Sequence, residues 1–78
     1  MEVYVLSICD YEYGNQEPKV FLNKEDAYKA MKKDYKDTIN EFEIDSSEGS
    51  CKIEDNFAYV NLPDYIQIDW NIFKVKMA

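Results

Sequence analysis

The sequence predicts one α+β domain over residues 1–78, a mostly antiparallel β-sheet with a single amphipathic helix packed on one face. Three observations lead there. A stretch over about residues 24–39 sets apolar side chains at every fourth position, the spacing of one helix face. The rest of the chain breaks into short runs of β-branched and aromatic residues separated by turn formers, the pattern of strands. The chain has 78 residues, 46% of them apolar, and only two glycines and two prolines. That suits one small core and argues against disorder, because disordered chains lack such residues.

The elements follow in order. Residues 2–9 (EVYVLSIC) are nearly all apolar and read as a strand buried on both faces, central in its sheet. Asp10 to Pro18 is polar, carries Gly14-Asn15, and reads as a hairpin-type connection longer than a tight turn. Lys19-Val20-Phe21-Leu22 forms a short second strand. Asn23 then caps a helix, with Asp26 at the third helical position in a variant of the capping box. Leu22 and Ala27 occupy the two positions of a hydrophobic staple. Glu25 and Asp26 sit at the positive end of the helix dipole, and Lys32, Lys33 and Lys36 toward the negative end. Ala27, Met31, Tyr35 and Ile39, with Tyr28 beside them, form the apolar face.

After the helix, Glu41-Phe42-Glu43-Ile44-Asp45 alternates as a half-buried strand does. Residues 46–50 form a turn, 51–54 a strand, Asp55-Asn56 a turn, and 57–62 (FAYVNL) a further strand interrupted by Pro63-Asp64. The last segment, 66–77, carries two phases. Ile66, Ile68, Trp70 and Ile72 share one, and Phe73, Val75 and Met77 share the other; a bulge near 72–73, or burial on both faces, would reconcile them. The expected order is β-β-α-β-β-β-β, with the apolar first and last strands paired in the middle.

Sixteen acids face nine basic residues, all lysine, for a net charge of −7 without histidine. Such a chain is repelled by nucleic acid and by anionic membranes, which bind through neutralising positive charge, so a basic protein surface is the more natural partner. Cys9 and Cys51 stand in no zinc-ligand or CxxC spacing and read as free thiols of a reducing compartment. The N-terminal apolar run is too short for a signal peptide or a membrane span. A cytoplasmic location is expected.

No catalytic residues are expected. Nucleophilic catalysis by Ser, Cys or Thr ordinarily needs a base, and the usual one, histidine, is absent. No positive cluster flanks either cysteine to lower its pKa. Paired carboxylates such as Glu54-Asp55 would need a cleft that holds them in contrasting environments. No metal ligands or cofactor are expected either. A calcium loop begun at Asp10 or Asp45 finds Gly14 or Gly49 one place early.

The charge is segregated. Residues 37–69 hold nine acids against Lys52 alone. On alternate positions of one strand, Glu41, Glu43 and Asp45 would point to the same face about 7 Å apart, with Glu48 beyond and Glu54 and Asp55 nearby. That spacing is like a run of backbone phosphates. The run Val20-Phe21-Leu22-Asn23-Lys24-Glu25-Asp26-Ala27-Tyr28, and the closing Asp69-Trp70-Asn71-Ile72-Phe73, resemble small accessory proteins of phages and mobile elements. Some of those are anti-CRISPR or other anti-defence inhibitors that mimic DNA. The resemblance implies a binding role and carries no family site onto individual residues.

The expected function is therefore that of a non-enzymatic inhibitor or modulator bound to a basic surface of a larger, nucleic-acid-handling protein. Glu41, Glu43, Asp45, Glu48, Glu54 and Asp55 would supply the charge, and Tyr11 and Tyr13 the aromatic anchors. The alternative is a homo-oligomeric structural or assembly module that self-associates through a sheet edge or an aromatic patch, with the acids serving solubility. A small enzyme would require a deep pocket.

Overall fold

A computed structural model describes residues 1–44, 50–62 and 66–77. Its elements are β1 (Glu2–Asp10), β2 (Gly14–Asn15), β3 (Lys19–Phe21), α1 (Lys24–Glu41), β4 (Cys51–Ile53), β5 (Phe57–Leu62) and β6 (Ile66–Lys76). The fold is α+β, one helix against a mostly antiparallel sheet. The strand order is β2-β1-β6-β5-β4, with β3 also paired to β1. The most apolar strands, β1 and β6, form the central ladder from Glu2↔Lys76 to Asp10↔Ile68.

Alternation along these strands divides the sheet into two faces. Leu6 and Ile8 of β1, Ala58 and Val60 of β5, and Ile66, Ile68, Trp70 and Ile72 of β6 point toward α1. They pack there against Ala27, Met31 and Tyr35. Leu6, Ile8, Met31, Val60 and Trp70 are fully buried, and a buried Leu, Ile, Val or Met stabilises the fold by about 1.5–3 kcal/mol. Trp70 makes an edge-on contact with Tyr35, ring centroids 5.7 Å apart. Its indole N–H donates to Asp34 Oδ2 at 2.7 Å.

The two phases of the last strand have a different resolution from either one expected. Pairing with β1 is continuous across residues 72–73, so no bulge intervenes. Phe73, Val75 and Met77 lie on the face away from α1 and are exposed.

The helix begins as its sequence implies. Asn23 Oδ1 accepts the Asp26 backbone N–H at 2.8 Å, and Asn23 Nδ2 donates to Asp26 Oδ2 at 3.0 Å. The staple does not form, because Leu22 is 70% exposed while Ala27 is buried.

The helix end is the larger correction. It runs through Glu41, so the strand expected over 41–45 is not formed by its described residues, and Asp45 lies outside them. Phe42 is the C-cap. The Glu43 N–H reaches the Asn40 carbonyl at 3.3 Å, and the Ile44 N–H reaches the Ile39 carbonyl at 3.0 Å. This is a Schellman closure, which satisfies the last carbonyls and lets Ile44 pack back on the core without a sheet neighbour. An alternation with only two apolar residues cannot separate that closure from a short strand. With the end at Glu41, no lysine lies in the last turn. A further difference is the two-residue strand β2, which the polar connection did not announce.

Two stability predictions follow from these contacts. Asp34→Ala strips the buried Trp70 N–H of its acceptor and should cost about 1.5–3 kcal/mol in urea unfolding, with Asn at the same position costing less. Glu43 holds φ +52°, a left-handed conformation that costs a residue with a Cβ about 1–2 kcal/mol. Glu43→Gly should therefore raise the unfolding midpoint, by about 0.5–1 kcal/mol of stability after glycine's own entropy cost.

Candidate functional site

The end of the sheet where β1 finishes and β6 begins meets the C-terminal half of α1. The chain reverses there through Tyr11, Glu12 and Tyr13, with Asp10 paired to Gly14. Asp10 Oδ1 accepts the backbone N–H groups of Glu12 at 2.9 Å and Tyr13 at 3.1 Å, which tightens the reversal. Gly14 closes it at φ +89°, a conformation that only glycine adopts without cost. From the helix side come Asp34, held by Trp70, and Thr38, whose hydroxyl donates to the Asp34 carbonyl at 2.9 Å. Glu41 and Phe42 follow.

Between these elements lies a groove of about 290 Å³. Four carboxylates border it, those of Asp10, Glu12, Asp34 and Glu41, and Tyr13, Phe42, Ile66 and Ile68 supply its apolar wall. The described ion pairs fall elsewhere: Lys24–Asp55, Lys29–Glu25, Lys33–Asp37, Lys52–Glu54 and Lys74–Glu2. Among the described residues, none of the four groove carboxylates forms an ion pair with a lysine, and the charge of Asp34 makes only a minor contribution to the raised pKa of Lys33. Glu41 also lies at the negative end of the helix dipole, where a carboxylate is unfavourable. Among the described residues no three carboxylate or thiol side chains converge as metal ligands would. The acids ring a hollow rather than meet at a point.

Of the residues expected to form one binding surface, the structure brings together Glu41 and Tyr13. Tyr13 is 83% exposed beside the groove. Tyr11 is turned aside, its hydroxyl donating to Asp69 Oδ2 at 2.8 Å. Glu43 is exposed just past the helix, but the row with Glu41 is lost because neither residue is in a strand. Glu54 and Asp55 are placed apart. Asp55 pairs with Lys24 at the other end of an 18-residue helix, Lys24 itself being about 26 Å along the axis from Glu41 at 1.5 Å per residue. Lys52 offsets Glu54. Asp45 and Glu48 lie outside the described residues.

Asp10, Glu12, Asp34 and Phe42 were missed by sequence reasoning. Asp34 did carry a signal. It falls on the buried stripe Ala27-Met31-Tyr35-Thr38 at a three-residue step, where a carboxylate needs a donor, and the chain's single tryptophan supplies one. Glu12 and Asp10 carry none, since only the tertiary fold brings their turn to the helix end.

A second hollow of about 490 Å³ between α1 and β4 is more open and more apolar, lined by Tyr35, Ile39, Cys51 and Ile53 with Lys36 at its edge. Cys9 and Cys51 are both free thiols. Burial, then the hydrogen bond to Cys51, raises the Tyr35 hydroxyl well above the usual tyrosine range. The hydrogen bond to Asp69 and its charge raise Tyr11 as well. Among the described residues no helix is long and apolar enough to cross a membrane. No family model matches the chain, and neither a curated protein nor a solved structure does.

The pH dependence follows from the two tyrosines. Unfolded tyrosine ionises near pH 10, while native Tyr35 and Tyr11 hold their protons higher. The unfolded state therefore binds fewer protons above that pH, and stability should fall as pH rises past about 10. Urea unfolding across pH 8–11 checks this (values about the tyrosine pKa), and Tyr35→Phe should flatten the decline.

Proposed function

We propose that the protein is a non-enzymatic binding protein that engages a basic surface of a larger partner, seating a lysine or arginine side chain in the groove beside Glu41. The observation that carries this reading is the set of four carboxylates around an apolar wall, none of them ion-paired with a lysine among the described residues, with Asp10 and Asp34 already held by N–H donors and Glu12 and Glu41 left to meet a cation. An arginine fits that chemistry, because its planar guanidinium can bond carboxylates while its face lies on Tyr13 or Phe42. The remaining surface, at net −7 for the chain, would steer a cationic partner toward it.

A nucleic-acid-handling protein is the natural class of partner, since its binding groove is basic. Charge and the groove support that choice; a phosphate-like strand row no longer does, because Glu41 and Glu43 are not on a strand. An inhibitor of this kind would compete with the partner's nucleic acid by occupying its cationic groove.

An arginine-rich peptide is the first probe. In an NMR titration its shifts should concentrate on residues 10–16 and 38–42; shifts centred on residues 52–55 would overturn the assignment of the groove. Glu12→Lys with Glu41→Lys should weaken binding by about tenfold or more at low salt, each reversal acting on a pair worth up to about 1 kcal/mol. Glu41→Lys alone should also raise stability by about 0.3–1 kcal/mol through the helix dipole. Lower affinity with higher stability is a signature that simple unfolding cannot produce.

A further inference from the structure

The apolar phase Phe73-Val75-Met77 takes no part in the helix-side core. Register sets Val75 opposite Val3, and Phe73 opposite Val5, which in turn faces Val20 of β3. The Met77 N–H bonds the Met1 carbonyl at 2.7 Å and adds one more row. These seven side chains, Met1, Val3, Val5, Val20, Phe73, Val75 and Met77, share the sheet face opposite α1 by strand alternation. None is charged, although 32% of the chain is. Lys74, Lys76 and Glu2 alternate to the helix side, where Lys74 pairs with Glu2 at 2.8 Å.

Val20 is 63% and Phe73 54% exposed, with Val75 and Met77 at 39% and 50%. Val3 is nonetheless buried. The face is thus a partly built second core.

We propose that it is a homodimer interface, in which two copies stack their β1–β6 sheets face to face about a two-fold axis with Phe73 and Val75 at the centre. A second copy is the occupant the chemistry favours. It brings the same apolar patch, uncharged across its seven side chains although Asp69 and Lys52 lie farther along the same sheet face, and a two-fold contact needs a surface complementary to itself. A basic partner would find no carboxylate among these seven side chains. With an aromatic side chain counting about 150–250 Å², the exposed part of the patch amounts to about 500 Å² per copy. Two copies would bury about 1,000 Å², the lower bound for a specific interface, which sets a weak, reversible dimer. Sheets packed this way lie about 10 Å apart with strands within about 30°. The groove lies on the helix side, so each copy keeps its own site open.

Salt separates this contact from binding at the groove. Two copies at −7 each repel, so added salt should tighten the dimer, whereas it should weaken a basic partner's hold. The test is sedimentation equilibrium of the whole chain from about 1 to 500 µM, spanning the affinities expected of a small interface. A monomer–dimer equilibrium in the micromolar range, tighter at higher salt, is the expected result. Phe73→Lys and, separately, Val20→Lys should each weaken it by about tenfold or more, as loss of a central anchor does. Circular dichroism confirms the fold of each variant, and Val20, on the short edge strand β3, serves should Phe73→Lys not fold. Glu41→Lys should not loosen the dimer. A monomer throughout this range, open-ended oligomers, or a dimer indifferent to both lysine substitutions would overturn the proposal. None of these outcomes bears on the peptide titration of the groove.

Discussion

The position of α1 on the sheet rests on Trp70. The indole is fully buried between Ile8 on one neighbouring strand and Ala58 on the other, and the small side chain of Ala58 gives the large ring room. A buried indole N–H without an acceptor is costly, so Asp34 must come to it, and its carboxylate does so at 2.7 Å. Tyr35, the next residue, meets the same ring edge-on. Two consecutive helix residues on one tryptophan fix both the rotation and the axial position of α1. The remainder of α1, from Asp34 to Glu41, then runs toward the β1–β2 reversal.

That constraint also creates the electrostatic character of the groove. Drawing Asp34 inward sets a carboxylate beside Asp10, and the helix continues for two further turns to deliver Glu41. Elsewhere lysines offset five of the described acids, across strands, along the helix and between elements; none of the four groove acids has such an ion pair. Glu41 opposes the helix dipole and Glu43 adopts a conformation that suits glycine. Departures of this kind from local preference gather at one end of a domain otherwise consistent with its sequence, and they support the proposed reading of the groove as a binding site. The sheet's far face departs in another way, exposing apolar side chains where a lone domain gains nothing from them.

The start of the helix was legible because its signals are local. Asn23 and Asp26 bond within one turn, and the four-residue spacing of Ala27, Met31 and Tyr35 needs only helical geometry. The central pairing of the first and last strands was legible from their apolar content. The helix end was not, since Ile44 closes a Schellman motif by packing on a core whose location the chain order does not state. The expected row of Glu41 and Glu43 on one strand failed for the same reason. Glu41 and Asp55 belong to one acidic stretch of sequence, yet they lie toward opposite ends of α1, where Asp55 pairs with Lys24.

The fold class, the helix with its N-cap, the pairing of the most apolar strands, and the acidic charge segregated along the chain were all readable from the order of residues alone. Each depends on composition or on contacts within a few residues. The tertiary structure decided which carboxylates share a site, which tyrosine stands beside them, and which apolar phase of β6 remains uncovered. Those depend on residues distant in the chain, Asp10 with Glu41 and Phe73 with Val5, whose proximity follows from strand register and from one hydrogen bond to Trp70 rather than from spacing.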